Sequence, residues 1–140
     1  MRAGSKNLRK EPNQRIALVV DDSMLVRHCV CRFLEQRGFL VTAASNGLEA
    51  IEKLCNAQVD LIVTDMQMPH MGGRELIREL KKTPTTAAIP IIVVTGRRLE
   101  SEQSEDGANY SIYKDIEIED QLATALIEIF GKSASAAAGK

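Results

Sequence analysis

The chain has 140 residues, 44% hydrophobic and 26% charged, which is one domain of ordinary soluble composition and excludes a disordered, collagen-like or disulfide-scaffold chain. With 4% aromatics and no Trp, Val, Ile, Leu and Ala must build the core. The net charge of -1 is a cancellation: residues 1–15 carry +4, residues 132–140 carry +2, and the body, 16–131, carries -7. An acidic body argues against a broad nucleic-acid surface.

Ile16-Ala17-Leu18-Val19-Val20 is a short continuous apolar run that stops at Asp21-Asp22, the pattern of a strand buried on both faces. Val26, Cys29, Val30, Phe33 and Leu34 then recur as one helical stripe, with Ser23 near its start and Gly38 as its stop. Residues 39–44 read as a second strand, Asn46-Gly47 as a turn, and Leu48, Ala50, Ile51 and Leu54 as a second helix. Residues 61–65 form a third strand ending in Asp65, followed by a Pro69/Gly72-Gly73 loop and a helix marked by Leu76, Ile77 and Leu80. A fourth strand spans 89–94 and ends at Thr95-Gly96. A weaker fifth spans 110–114, and Ile118, Leu122, Ala125, Leu126 and Ile129 line a last helix stopped by Gly131. Residues 1–14 read as a flexible basic tail, 15–131 as the domain, and 132–140 as a second flexible tail.

Strands alternating with helices imply a parallel sheet covered on both faces. Right-handed crossovers point every strand the same way, so strand C-termini share one edge. Asp21-Asp22, Asp65, Thr95 and Lys114 end four of the strands. Three converging carboxylates repel one another unless a hard divalent cation such as Mg²⁺ lies among them. A carboxylate nucleophile, a metal, a lysine and a hydroxyl donor are the parts of a phosphoryl-transfer site. Singly each residue has an ordinary explanation, since Asp22 or Ser23 could be a helix cap and Lys114 a solvated charge. All four at the ends of separate strands do not.

These residues carry a resemblance. Leu18-Val19-Val20-Asp21-Asp22-Ser23, Ala44 to Ala50, Asp65-Met66-Gln67-Met68-Pro69 through Gly73, Val94-Thr95-Gly96, and Gly107-Ala108 leading to Lys114 resemble the receiver domain of two-component response regulators, over roughly 15–131. The resemblance implies a flavodoxin-like, doubly wound five-stranded sheet in the order 2-1-3-4-5. It implies Asp65 as phosphoacceptor, with Asp22, Asp65 and the Gln67 carbonyl on Mg²⁺ and Asp21 acting mainly through water. Lys114 would pair with Asp65 and then with a phosphoryl oxygen, while Thr95 would move toward the phosphoryl group. The implied donor is a histidine kinase or phosphotransfer protein. Independently, the odd count of three cysteines, Cys29, Cys31 and Cys55, reads as reduced thiols and sets the expected compartment as the cytoplasm. No apolar run reaches membrane-spanning length.

The sequence departs from the family pattern in four places. Asp115 follows Lys114 where the family usually has a proline, which leaves a cis or a trans bond open. Ser111 stands where the family's switch aromatic usually lies, flanked by Tyr110 and Tyr113. Because strand side chains alternate faces, neither tyrosine is expected to be a simple substitute. The stretch from Thr95 to Gly107 is about one helical turn short and lacks an apolar stripe, so a shortened or disordered fourth helix is expected there. Finally, Gln67 and Arg97 occupy the positions that flank the attacking water. His28 is expected at the surface and His70 in the loop beside the site.

The leading expectation is a phosphoacceptor with no attached output domain, acting on an unknown downstream protein without nucleic acid or membrane. It is not expected to be a turnover enzyme: Gln67 stands where an aspartate-nucleophile phosphatase carries its second acid. The alternative is a degenerate receiver acting as a phosphorylation-independent interaction module.

Overall fold

The computed structural model describes residues 14–68, 70–95, 109–114 and 117–131. The elements are β1 (Ile16–Val20), α1 (Met24–Gln36), β2 (Leu40–Ala44), α2 (Gly47–Asn56), β3 (Leu61–Asp65), α3 (Gly73–Lys82), β4 (Ile91–Thr95), β5 (Tyr110–Tyr113) and α4 (Ile118–Phe130). The sheet runs β2-β1-β3-β4-β5, with every neighbouring pair parallel. This is the doubly wound order expected from the sequence. Two expectations fall outside the described residues: the shortened segment after Thr95, which includes Arg97, and the Lys114–Asp115 bond. So do residues 1–13 and 132–140.

The strands hold because they are apolar on both sides. Residues alternating along each strand divide between two cores. On one face Ala17, Val19, Val63, Ile92, Val94 and Ile112 pack with Val30, Phe33 and Leu34 of α1 and Leu122, Ala125 and Leu126 of α4. On the other, Leu18, Val20, Ile62, Ile91 and Val93 pack with Ala50 of α2 and Leu76, Ile77 and Leu80 of α3. The central strands β3 and β4 are buried throughout, as parallel strands between two helical layers must be.

Caps set the helix limits. Ser23 Oγ accepts from the Val26 N–H at the start of α1, and Asn46 Oδ1 accepts from the Glu49 N–H at the start of α2. α1 ends as Phe39 N–H returns to the Leu34 carbonyl at 3.1 Å, with Gly38 at φ 92°, a left-handed turn that glycine enters without strain. That return bond keeps Phe39 out of β2, although its ring is buried. Ile89 and Pro90 likewise precede β4.

One helix assignment needs correcting. Leu48 is 55% exposed, whereas Ala50 is fully buried. At about 100° per residue, Leu48 lies about 160° from Ala50 around α2, with half-buried Ile51 between them, so Leu48 sits at the solvent margin of the stripe rather than on its buried side. His28 is exposed as expected. Among the described residues, no helix is long and apolar enough to cross a membrane.

Candidate functional site

β1 and β3 are neighbours at the centre of the sheet, so their carboxyl ends meet. Asp21 and Asp65 are buried to 2% and 3% exposure, while Asp22 reaches solvent. Asp21, Asp22 and Asp65 each place a carboxylate oxygen so that all three lie within 4.8 Å of one another. Lys114, just past β5, reaches across the end of β4, its Nζ 3.3 Å from Asp65 Oδ1 and 3.5 Å from Asp21 Oδ2. A lysine stem suits this span, because two strand spacings are about 10 Å. The sequence anticipated the bond to Asp65; the shared bond to Asp21 came only from the fold.

The acids are held in place before any ligand arrives. Ser23 N–H donates to Asp21 Oδ1 at 2.8 Å, and Gln67 N–H donates to Asp65 Oδ1 at 3.4 Å. Ser23 therefore serves both as helix cap and as donor to Asp21. Burial, and then the Asp21 charge, push the Asp65 carboxyl up to about 6, against the pull of Lys114 and the Gln67 N–H. Burial raises Asp21 as well, opposed by the Ser23 N–H and by Lys114. One lysine does not compensate two buried carboxylates, so the site carries surplus negative charge.

Thr95 ends β4, 4% exposed, and its carbonyl accepts from the Lys114 N–H at 2.8 Å. Lys114 is thus fixed to the end of β4 through its backbone. Thr95 stands in register with Tyr113, and Val93 with Ser111. This corrects the expectation about the tyrosines. Tyr113 is two residues from Ser111, so the two share a face, and Tyr113 stands beside Thr95; Tyr110 and Ile112 pack on the opposite core. The spacing in the sequence carried this information.

The loop after Asp65 is tied down by α3 and α2. Gly73 N–H donates to the Met66 carbonyl at 3.0 Å, and Gly47 N–H donates to the Met71 carbonyl at 3.1 Å. A Cβ on Gly73 would run into the Asp65 carbonyl oxygen and lie 2.9 Å from Met66 Cα. Glycine is required here because the start of α3 touches the backbone of the acid-bearing strand. Gln67 is exposed beside the cluster. His70, also exposed, has φ 72°.

The architecture and the acidic edge together define the class, a flavodoxin-like doubly wound domain with its polar residues gathered where parallel strands end. Comparison with known proteins gives the family. The sequence model described as "Response regulator receiver domain" matches residues 17–126. The chain is 36% identical over 109 residues to the response regulator MprA of Mycobacterium sp. (strain KMS), covering 76% of this chain and 46% of that protein. It is 36% identical over 93 residues to the regulatory protein VirG of Agrobacterium fabrum, covering 66% of this chain and 35% of that one. Its structure matches the chemotaxis response regulator CheY4 of Vibrio cholerae with a TM-score of 0.77 at 27% identity, over 84% of this chain and 100% of that one. It also matches the Mn²⁺-bound form of response regulator Rcp1 with a TM-score of 0.70 at 25% identity, over 83% and 93%. The chain belongs to the response regulator receiver domain family of two-component signalling. It spans less than half the length of these two curated relatives.

Proposed function

We propose that Asp65 accepts a phosphoryl group from a phosphohistidine on a sensor histidine kinase or phosphotransfer protein, and that the phosphorylated chain presents an altered surface to a downstream protein. The observation that carries this reading is Lys114 Nζ at 3.3 Å from Asp65 Oδ1 inside a cluster of three carboxylates. An Asp65 oxygen attacks phosphorus. The donor's N–P bond breaks as the O–P bond forms, and the imidazole leaves with the bonding pair and takes a proton from solvent.

The donor set fits Mg²⁺, which takes carboxylate and carbonyl oxygens plus water. Asp22, Asp65 and the Gln67 carbonyl would hold it directly and Asp21 would act through water; the related Rcp1 was solved with Mn²⁺. When bound, the cation neutralises charge on the transferring phosphoryl group. Lys114 pairs with a phosphoryl oxygen, and Thr95 donates its hydroxyl to another. An aspartyl phosphate adds about two negative charges and new acceptors, which draw in Thr95 and the adjacent end of β5. In this reading the chain is a phosphoryl acceptor, not a turnover enzyme.

The test is incubation with Mg²⁺ and acetyl phosphate, read by intact mass. One added phosphoryl group is expected on the parent and none on Asp65→Ala. If the parent gains none and shows no Mg²⁺-dependent spectral response to beryllofluoride, the proposal fails. A second reading, a phosphorylation-independent interaction module, is favoured by Ser111 at the position of the family's switch aromatic. On that reading Asp65→Ala would bind its protein partner as the parent does.

A further inference from the structure

We infer that Arg27 is a positioning residue for the cation-binding acids, acting through the peptide group that joins Asp21 to Asp22. The inference rests on reading those acids as a Mg²⁺ site. Arg27 lies in the first turn of α1, its backbone N–H bonded to the Ser23 carbonyl at 2.9 Å. Its guanidinium turns back toward the sheet, and Nη1 donates to the Asp21 carbonyl oxygen at 2.7 Å. A bond this short from a charged donor is of the stronger kind.

Asp21 is held on every side. Its N–H donates to the Ala44 carbonyl at the end of β2 at 3.1 Å, its carbonyl accepts from Arg27, and its carboxylate accepts from Ser23 N–H and meets Lys114. Asp22 is held differently. It is exposed, and its carboxylate accepts no hydrogen bond among the described residues. Its aim toward the cluster is set by the backbone. The Asp21 carbonyl and the Asp22 amide share one planar unit, so the bond from Arg27 fixes the plane from which the Asp22 Cα and carboxylate depart.

Helix stability does not explain an arginine in this place. A cation in the first turn opposes the helix dipole, and α1 has no acidic residue there to offset it. Arg27 also acts electrostatically on Glu49 at the start of α2, whose Oε1 accepts from the Ser45 N–H at 2.8 Å and from Ser45 Oγ at 2.9 Å.

Charge and positioning predict opposite signs. A positive charge bonded to the acid-bearing loop works against a divalent cation there, so deleting it would by itself tighten Mg²⁺ binding. Losing the anchor of a ligand-bearing peptide weakens binding, and outer partners of metal ligands are worth about 10–100-fold in affinity.

The experiment is a calorimetric Mg²⁺ titration of the full chain as parent, Arg27→Met, Arg27→Lys and Asp22→Ala. Methionine keeps most of the stem but removes both the charge and the donor. Arg27→Met is expected to raise Kd about tenfold. Arg27→Lys, which restores a charged donor without the planar fork, is expected to lie between it and the parent. In metal-free amide spectra, the Asp22 and Ser23 resonances should move in Arg27→Met while those of β3 and β4 stay in place. An Arg27→Met Kd equal to or below the parent's overturns the inference. If the parent binds no Mg²⁺, or Asp22→Ala binds as the parent does, the metal-site reading fails and the inference falls with it. If Arg27→Met does not fold, Arg27→Gln, whose shorter amide stops short of the carbonyl, carries the same expectation.

Discussion

Replacing Asp65 with asparagine should stabilise the metal-free protein. The Asp65 carboxyl is raised from an ordinary 3.8 to about 6, by burial first and then by the Asp21 charge. Its folded-state value lies above its unfolded one, so between about pH 4 and pH 6 the native chain holds a proton that the unfolded chain has lost. Native stability therefore falls as pH rises through that window, and the loss is complete above it. At about 1.4 kcal/mol per pH unit, the ionised carboxylate costs the native state about 3 kcal/mol at pH 7. Asparagine keeps the shape without the charge, leaves Lys114 its second partner Asp21, and gives up some hydrogen-bond fit, so the expected gain is about 1–3 kcal/mol. For a domain of this size that is about 4 °C in Tm per kcal/mol. The assay is calorimetric unfolding of both proteins in a chelating buffer at pH 7 and pH 4, then at pH 7 with Mg²⁺. The gain should shrink to about 0.5 kcal/mol at pH 4, where native Asp65 is protonated. It should shrink or reverse with Mg²⁺, which stabilises only a native state that binds it. A variant no more stable than the parent at pH 7, or a gain equal at both pH values, refutes the reasoning.

Other consequences follow from the same contacts. Lys114→Met leaves two buried carboxylates without their cation, and should cost about 2–4 kcal/mol at pH 7 without divalent ions, read by urea unfolding; the deficit should narrow toward pH 4 as the acids protonate. Gly73→Ala should cost about 1–3 kcal/mol, because its Cβ meets the backbone of Asp65 and Met66; it should also weaken Mg²⁺ binding, whereas the exposed Ala88→Gly should leave binding unchanged. The chain has two tyrosines and no Trp, so tyrosine emission is a clean probe. A beryllofluoride-dependent change in emission should vanish in Tyr113→Phe, which keeps the ring but removes the tyrosine fluorophore in register with Thr95, and persist in Tyr110→Phe. Asn46→Ala, which removes the cap of α2, should lower stability by about 1 kcal/mol in chemical denaturation without altering phosphoryl acceptance.

The strands β1, β3 and β4 were legible because each is buried on both faces and so reads as a continuous apolar run, whereas the edge strands β2 and β5 are only partly buried and gave a weaker signal. The helices were legible from their stripes, and the one error came from ignoring angular position: Leu48 lies opposite Ala50 around α2, and solvent takes it. The acids and Thr95 were legible as strand ends. Tyr113 was misjudged through a slip in strand parity, since residues two apart share a face, and the register with Thr95 shows it. Gly73 was recognised as a loop glycine, but not as the point where α3 touches the Asp65 carbonyl. Arg27 gave no signal in the sequence beyond being a charged residue on a helix, because its partner is a backbone carbonyl.

Local chemistry determined what each segment becomes. Apolar runs become strands, helical stripes become helices, and Asp21, Asp22, Asp65, Thr95 and Lys114 fall at or just past strand ends. Only the tertiary structure decided which of these ends meet. The order β2-β1-β3-β4-β5 sets β1 against β3, bringing Asp21 beside Asp65, and puts Lys114 two strands from Asp65 and three from Asp21, with its Nζ within reach of both acids. The raised carboxyls, the shared lysine and the anchored Asp21 carbonyl are properties of that meeting. Burial and charge act through distance in space, and those distances do not exist until the sheet has formed.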